Sequence, residues 1–188
     1  VFRFVRRNDW QSLKKNSGGM LNNYGAHYID QLLYLAGHPD IADIRCRLWA
    51  AATMGDADDV VRVWMTTEDR VLLDLEINQA SALSLPGWHI CGEYGTVVGS
   101  GSTFELKYYD PDQADPLEVK EGAAPGRSYD NKDRLPWIDS AIEVEGDTLD
   151  FYANIHDVLN GRAEPYIPIE QTCELMRIME HCRTDAQL

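Results

Sequence analysis

The fold class this sequence predicts is α+β, with an open, mainly antiparallel sheet and helices packed on one face. Three observations lead there. An apolar pattern of helical period covers residues 20–36, alternating runs fill Ile41 to about Tyr109, and two more helical patterns follow residue 147. Strands that succeed one another without intervening helices make an antiparallel meander, not a doubly wound parallel sheet. Such a sheet leaves its second face for solvent or for another subunit.

Taken in order, the run Val1-Phe2-Arg3-Phe4-Val5 reads as strand-like, and an opening at Val1 without Met suggests a domain cut from a longer protein. Asn8 or Asp9 caps a short helix through Lys15, which ends at the turn residues Asn16 to Gly19. A stronger helix spans about Met20 to Ala36, stopped by Gly37 with Pro39 just beyond. Its buried stripe is Leu21, Ile29, Leu32, Leu33 and Ala36. The period then changes to two. Ile44, Cys46 and Leu48 alternate with Arg45, Arg47 and Trp49, and Val61, Val63 and Met65 do likewise. Val71, Leu73, Leu75 and Ile77 repeat the pattern after the hairpin turn Glu68-Asp69-Arg70. Trp88 to Gly92, Thr96 to Val98 and Thr103 to Tyr109 supply further strands. Asp110 to Pro136 holds four prolines and two glycines and reads as a surface excursion. Asp147 caps a helix to Asn160, closed by Gly161, and Pro168 to Arg183 bracket a final helix. The whole of residues 1–188 reads as a single domain.

Composition narrows the functions. At 188 residues and 44% hydrophobic, the chain can bury a full core. With 31 acidic against 17 basic residues its net charge is −14. Nucleic acid is excluded as a partner, because a binder needs a basic face to replace counterions, and an anionic membrane surface is disfavoured for the same reason. No stretch of 18 apolar residues spans a membrane and no signal peptide is present, so a cytoplasmic location is expected. Cys46, Cys91, Cys173 and Cys182 lack a C-x-x-C pair and read as small buried hydrophobes in a reducing compartment.

Chemistry concentrates on one helix. Asn23, His27, Asp30 and Tyr34 follow i, i+4, i+7, i+11 spacing and form a polar line on an otherwise apolar helix. Histidine moves a proton near neutral pH more readily than any other side chain. Asn23, one turn earlier, is placed to hold one ring nitrogen and leave the other as acceptor, while Asp30 can orient a substrate hydroxyl. Gly25 allows close approach of a backbone or ligand. Trp10 lies near this motif beside Arg6 and Arg7, and Arg7 suits a substrate carboxylate or phosphate as well as the open surface. His27 and Asp30 could share an ion, but His38, His89, His156 and His181 lie at no ligand spacing, so no metal is expected. The chain carries no G-x-G-x-x-G after a strand, no P-loop, no G-x-S-x-G and no H-E-x-x-H. Gly99-Ser100-Gly101-Ser102 sits between strands and opens no helix.

These motifs together resemble a known family. Arg7, Asp9, Trp10 and Gln11, then Gly18-Gly19-x-Leu21, then Gly25-x-His27-x-x-Asp30, are similar to the opening of the C-terminal domain of the Gfo/Idh/MocA (glucose-fructose oxidoreductase/inositol dehydrogenase) oxidoreductases. Trp88-x-Ile90-x-Gly92-x-x-Gly95, and Phe151-Tyr152 through Gly161 to Pro165, continue the likeness. The resemblance implies a glyceraldehyde-3-phosphate dehydrogenase-like C-terminal domain preceded by an N-terminal Rossmann domain, absent from this chain, that binds NAD or NADP. It implies oxidation of a sugar or polyol hydroxyl, an oligomer made through the open sheet, and no activity for this chain alone. His27 then takes the hydroxyl proton, Asn23 orients the ring, and Asp30, Arg7 and Trp10 contact the substrate. The family often has Asp where this chain has Asn23, and a neutral amide orients an imidazole without raising its basicity. The rival expectations are a non-catalytic binding or dimerisation module, in which the His27 face is sealed, and a metal-dependent hydrolase or isomerase.

Overall fold

The alternating runs form the sheets of a computed structural model that describes residues 1–116, 134–145 and 151–186. Its two compact units are Val1–Leu85 with Leu149–Leu188, and Pro86–Thr148. Antiparallel sheets with a few helices make the chain α+β, as expected.

In the first unit β1 (Ile41–Trp49), β2 (Val60–Thr67) and β3 (Leu72–Asn78) form an antiparallel sheet in that order. Register aligns Cys46 with Val63 and Leu75, and Leu48 with Val61 and Ile77, so one face is wholly apolar. All six are buried. Helix α1 (Ala26–Leu35) lays Ile29 and Leu33 on this face, and α3 (Ile169–Asp185) adds Ile178, Met179 and Cys182. Each fully buried aliphatic side chain contributes about 1.5–3 kcal/mol relative to exposure. The opposite face is charged: Arg62 pairs with Asp74 and Glu76 on β3 and sits 5.4 Å from the Trp64 ring centroid.

The β2–β3 hairpin falls where the sequence places it. Thr67 accepts from the Val71 N–H through Oγ1 (2.9 Å), and Arg70 takes a left-handed φ of 69°. Leu32 and Ala36, expected in the buried stripe, are only half-covered and pack at the core's margin. Val1–Val5 is an extended segment instead of a full strand. Phe2 bridges Asn78 in parallel, and the Arg3 and Val5 N–H groups donate to the Asn78 and Gln79 carbonyls at 3.0 and 2.9 Å.

The second unit is the meander β4 (Trp88–Gly92), β5 (Gly95–Ser100), β6 (Thr103–Tyr108) and β7 (Ile138–Glu143). β7 was not expected from the sequence. Its short Ile-Asp-Ser-Ala-Ile-Glu run gains strand character by pairing with β6, Phe104 opposite Ile142 and Tyr108 opposite Ile138. Phe104 and Tyr108 also lie across Gly99 and Gly95, where an added Cβ would stand 2.5 Å from each side chain. The strand block is thus divided between two sheets.

Helix α2 (Phe151–Leu159) begins four residues after the expected cap Asp147, which lies outside the described residues, as do 117–133 of the proline-rich stretch. Asn154 is its buried residue. Its amide donates to the Glu164 carbonyl and accepts from the Tyr166 N–H, both at 3.0 Å, which fixes the return toward α3. Pro168 caps α3 and the helix runs two residues past Arg183. The cysteine expectation needs correction. Cys46 and Cys182 are buried, but Cys91 and Cys173 are exposed, because β4 and the first turns of α3 have no covering layer there.

Candidate functional site

Tight turns before α1 build the site. Asp9 caps a single 3-10 turn, Trp10–Ser12, by accepting from the Gln11 N–H at 3.0 Å, and a second such turn covers Lys14–Asn16. The expected short helix is therefore two turns broken at Leu13. The chain reverses through Ser17 (φ 57°) and Gly19 (φ 104°), and the Gly19 N–H donates to the Gln11 carbonyl at 2.9 Å. Only glycine fits at 18, since a Cβ there would lie 2.4 Å from the Gln11 carbonyl oxygen.

The loop between β1 and β2 clamps this segment with two acidic residues and braces itself with a third. Asp56 accepts from the Lys14 N–H at 2.9 Å, Asp58 from the Leu21 N–H at 2.9 Å, and Asp59 from the Ala51 and Ala52 N–H groups at 2.7 Å. Asp58 thereby satisfies an orphan donor at the start of the helix that carries His27, where a carboxylate also meets the positive end of the helix dipole. Burial pushes the Asp58 carboxyl above the usual carboxylate range, against the lowering effect of the Leu21, Met20 and Asp58 N–H groups. Sequence reading missed this clamp. Its signal was the Gly55-Asp56-Ala57-Asp58-Asp59 run, short carboxylates interleaved with small residues where the chain must turn tightly.

The helix itself starts as one turn of π-helix, Leu21–Gly25, before α1 continues it. Such wide turns are frequent at functional sites, and the extra residue changes which side chains share a face. Gly25 sits at the junction. A Cβ there would stand 2.9 Å from Leu21 Cδ1 and 3.5 Å from Met179 Sδ, so the space it leaves is taken first by the Leu21 side chain, with Met179 of α3 in ordinary contact beside it.

Asn23, His27, Asp30 and Tyr34 all lie on this helix. His27 is exposed, and it makes no hydrogen bond among the described residues. Asn23 does not bond to it. The Asn23 amide Nδ2 donates to Gln11 Oε1 at 3.4 Å, leaving its own Oδ1 uncommitted. Asp30 is half-buried and has no ion pair or hydrogen-bond partner among the described residues. Tyr34 is exposed and meets His38 edge-on, centroids 6.1 Å apart.

Arg7 and Trp10 share the segment that carries Gln11. Arg7 pairs with Asp9 at 3.2 Å, its carbonyl accepts from the Met54 N–H at 3.0 Å, and its Nε is buried without a partner. Trp10 is 58% exposed. Among the described residues no group of three His, Cys, Asp or Glu side chains is placed to hold a metal ion. The glycine-rich run is not a dinucleotide cradle. The Gly99–Ser102 run is the tight β5–β6 turn, with Ser100 paired to Thr103, and it presents no helix N-terminus to a pyrophosphate. No described helix is long and apolar enough to cross a membrane.

Comparison with known proteins agrees with this architecture. The structure is similar to an NAD-binding protein from Listeria innocua (23% identity, TM-score 0.76, 98% of this chain and 54% of that one). It is similar to an oxidoreductase from Bacillus cereus (15%, 0.70, 98% and 62%). It is also similar to the UDP-N-acetylglucosamine 3-dehydrogenase GnnA from Acidithiobacillus ferrooxidans (16%, 0.62, 98% and 53%). The chain spans about half the length of these proteins. No curated protein sequence matches it. The family model of the oxidoreductase family's C-terminal alpha/beta domain matches residues 1–187, so the chain belongs to the Gfo/Idh/MocA oxidoreductase family as its C-terminal domain.

Proposed function

We propose that this chain is the substrate-binding and proton-transferring half of an NAD(P)-dependent oxidoreductase acting on a sugar or polyol hydroxyl. One observation carries the reading. His27 stands exposed and unbonded on a helix whose opposite side is locked into the core by Ile29 and Leu33. A merely packed histidine would be covered and hydrogen-bonded. An imidazole with a free ring nitrogen on a rigid support is what removal of a hydroxyl proton requires.

In this reading Asn23 orients the ring or the hydroxyl through its free Oδ1, and Asp30 accepts from a second substrate hydroxyl. Arg7 and Trp10 hold the far end of the substrate, Trp10 by stacking on a sugar face. The cofactor is NAD or NADP, held mainly by an N-terminal Rossmann domain outside this chain, and it takes the hydride. The sugar dehydrogenase activity in the name of the GnnA relative supports the substrate class. Four cysteines without a disulfide fit a cytoplasmic setting.

A homo-oligomer through an open sheet belongs to the same proposal. Pairing puts Ile90, Val97, Leu106, Phe104, Ile142, Tyr108 and Ile138 on one face of the four-stranded sheet, with Glu105, Lys107, Asp139 and Glu143 on the other. Ile90, Tyr108, Ile138 and Ile142 remain at least 40% exposed, an apolar patch suited to burial against a second copy.

The test uses the full-length enzyme that contains this domain. His27→Ala is expected to lower the rate of polyol or sugar oxidation by about 10²–10⁴-fold while the circular dichroism spectrum and melting temperature stay unchanged. Near-normal turnover overturns the reading. The 188-residue chain alone is expected to show no nicotinamide reduction with any polyol.

A further inference from the structure

We infer that Gln11 is a positioning residue that fixes the orientation of the Asn23 amide. The inference rests on the reading of His27 as proton acceptor and adds a residue that the reading does not contain.

An asparagine can present either its oxygen or its nitrogen to a neighbour, and the two choices have opposite chemistry. Next to a histidine that must accept a proton, the oxygen is the useful end. It takes the N–H of the ring and leaves the other ring nitrogen free, whereas an NH₂ aimed at the ring would occupy the accepting nitrogen. Nothing within Asn23 settles the choice. An aspartate, with two equivalent oxygens, would not face it. An amide at this position therefore creates a need for something that tells oxygen from nitrogen.

Gln11 Oε1 meets that need by accepting from Asn23 Nδ2 at 3.4 Å. With the nitrogen engaged, Oδ1 is the end left for the ring or a substrate hydroxyl. A second observation is that the Gln11 backbone is held in place. Its N–H donates to the Asp9 carboxylate at 3.0 Å and its carbonyl accepts from the Gly19 N–H at 2.9 Å. The missing side chain of Gly18 leaves room for that carbonyl. These bonds fix where the Gln11 side chain starts, and its Oε1 is the end that meets Asn23. The same contact also ties the Trp10–Ser12 turn to the π-turn, so a purely structural role has to be separated from the orienting one.

Chemistry separates them. Gln11→Glu keeps an acceptor facing Nδ2, Gln11→Met keeps the length without an acceptor, and both keep the packing. In the 188-residue chain, ¹⁵N relaxation of the Asn23 side-chain amide reads its order directly, with the exposed Gln31 amide as the mobile reference. The amide is expected to be ordered in the wild type and in Gln11→Glu, and as mobile as Gln31 in Gln11→Met. An Asn23 amide equally ordered in all three overturns the inference, as does one already mobile in the wild type. In the full-length enzyme Gln11→Met is expected to lower kcat about tenfold with KM changed less than twofold, and Gln11→Glu to restore it. In the Asn23→Asp background the order reverses, because Gln11→Glu then opposes two carboxylates. Equal effects in both backgrounds assign Gln11 to structure alone and overturn the inference. Loss of NMR order without any dehydrogenase activity in the wild-type enzyme would sink the proposed function while leaving Gln11's role intact.

Discussion

In the proposed reading Asn23 sets how His27 behaves. Replacing it by aspartate places a negative charge beside the ring and favours the protonated imidazole. Since the protonated ring cannot accept a proton, the acid limb of the rate–pH profile of the full-length enzyme is expected to move to higher pH in Asn23→Asp. An unmoved limb would show that the two side chains do not communicate. Asp58 is the other decisive residue. Asp58→Ala leaves the Leu21 N–H unsatisfied, and a loss of about 1–3 kcal/mol is expected in urea unfolding. Its titration has a definite sign. Burial raises the folded-state pKa above the ordinary value of 3.8, so between the two the native state binds more protons than the unfolded one. Stability contributed by this group therefore falls as pH rises through that window. Asp58→Asn, which does not titrate, is expected to flatten the fall, so that variant and wild type converge at the acid end. Asp185 runs the opposite way. The Cys46 N–H holds its carboxyl below the ordinary value, so what it contributes is lost as pH falls.

At the scale of elements, the helix that carries His27 depends on turns far from it in sequence. Gly55 has no room for a side chain, since a Cβ would stand 1.9 Å from the Ser12 carbonyl oxygen. Gly55→Ala is expected to displace the acidic loop, with a cost of about 1–3 kcal/mol in chemical denaturation. A melting curve superposable on the wild type would show that the loop yields freely. The helix was legible from its apolar period, its Gly37 stop and its polar line. The π-turn was not, because apolar period and capping signals do not distinguish a 13-atom hydrogen-bonded ring from a wider one. Strands β1 to β3 were legible because one face is fully buried, which forces alternation. β7 escaped notice because its residues are all exposed and its pairing with β6 is a long-range choice.

For the molecule as a whole, the informative feature is the apolar face of the four-stranded sheet. Ile142→Glu changes a residue that is 45% exposed, so the fold should survive it. If that face joins two copies, sedimentation is expected to show an oligomer for the wild type and a monomer for the variant. A wild-type chain that sediments as a monomer at about 100 µM removes the sheet face as an interface of this domain. The charged side chains of this sheet, Glu105, Lys107, Asp139 and Glu143, lie on its other face, away from the apolar patch.

By itself the sequence determined the α+β class, the hairpin at Glu68–Arg70, the burial of Leu21, Ile29 and Leu33, and the presence of His27 and its polar neighbours on one helical segment. These are local or periodic properties, written in residue spacing. Tertiary structure alone decided that Asp58 closes the start of the helix, that Met179 fills the space beside Gly25, and that Asn23 turns its nitrogen to Gln11 and not to His27. Each of those joins residues distant along the chain, and hydrogen-bond geometry between such residues is set by how the elements pack, which no spacing rule encodes.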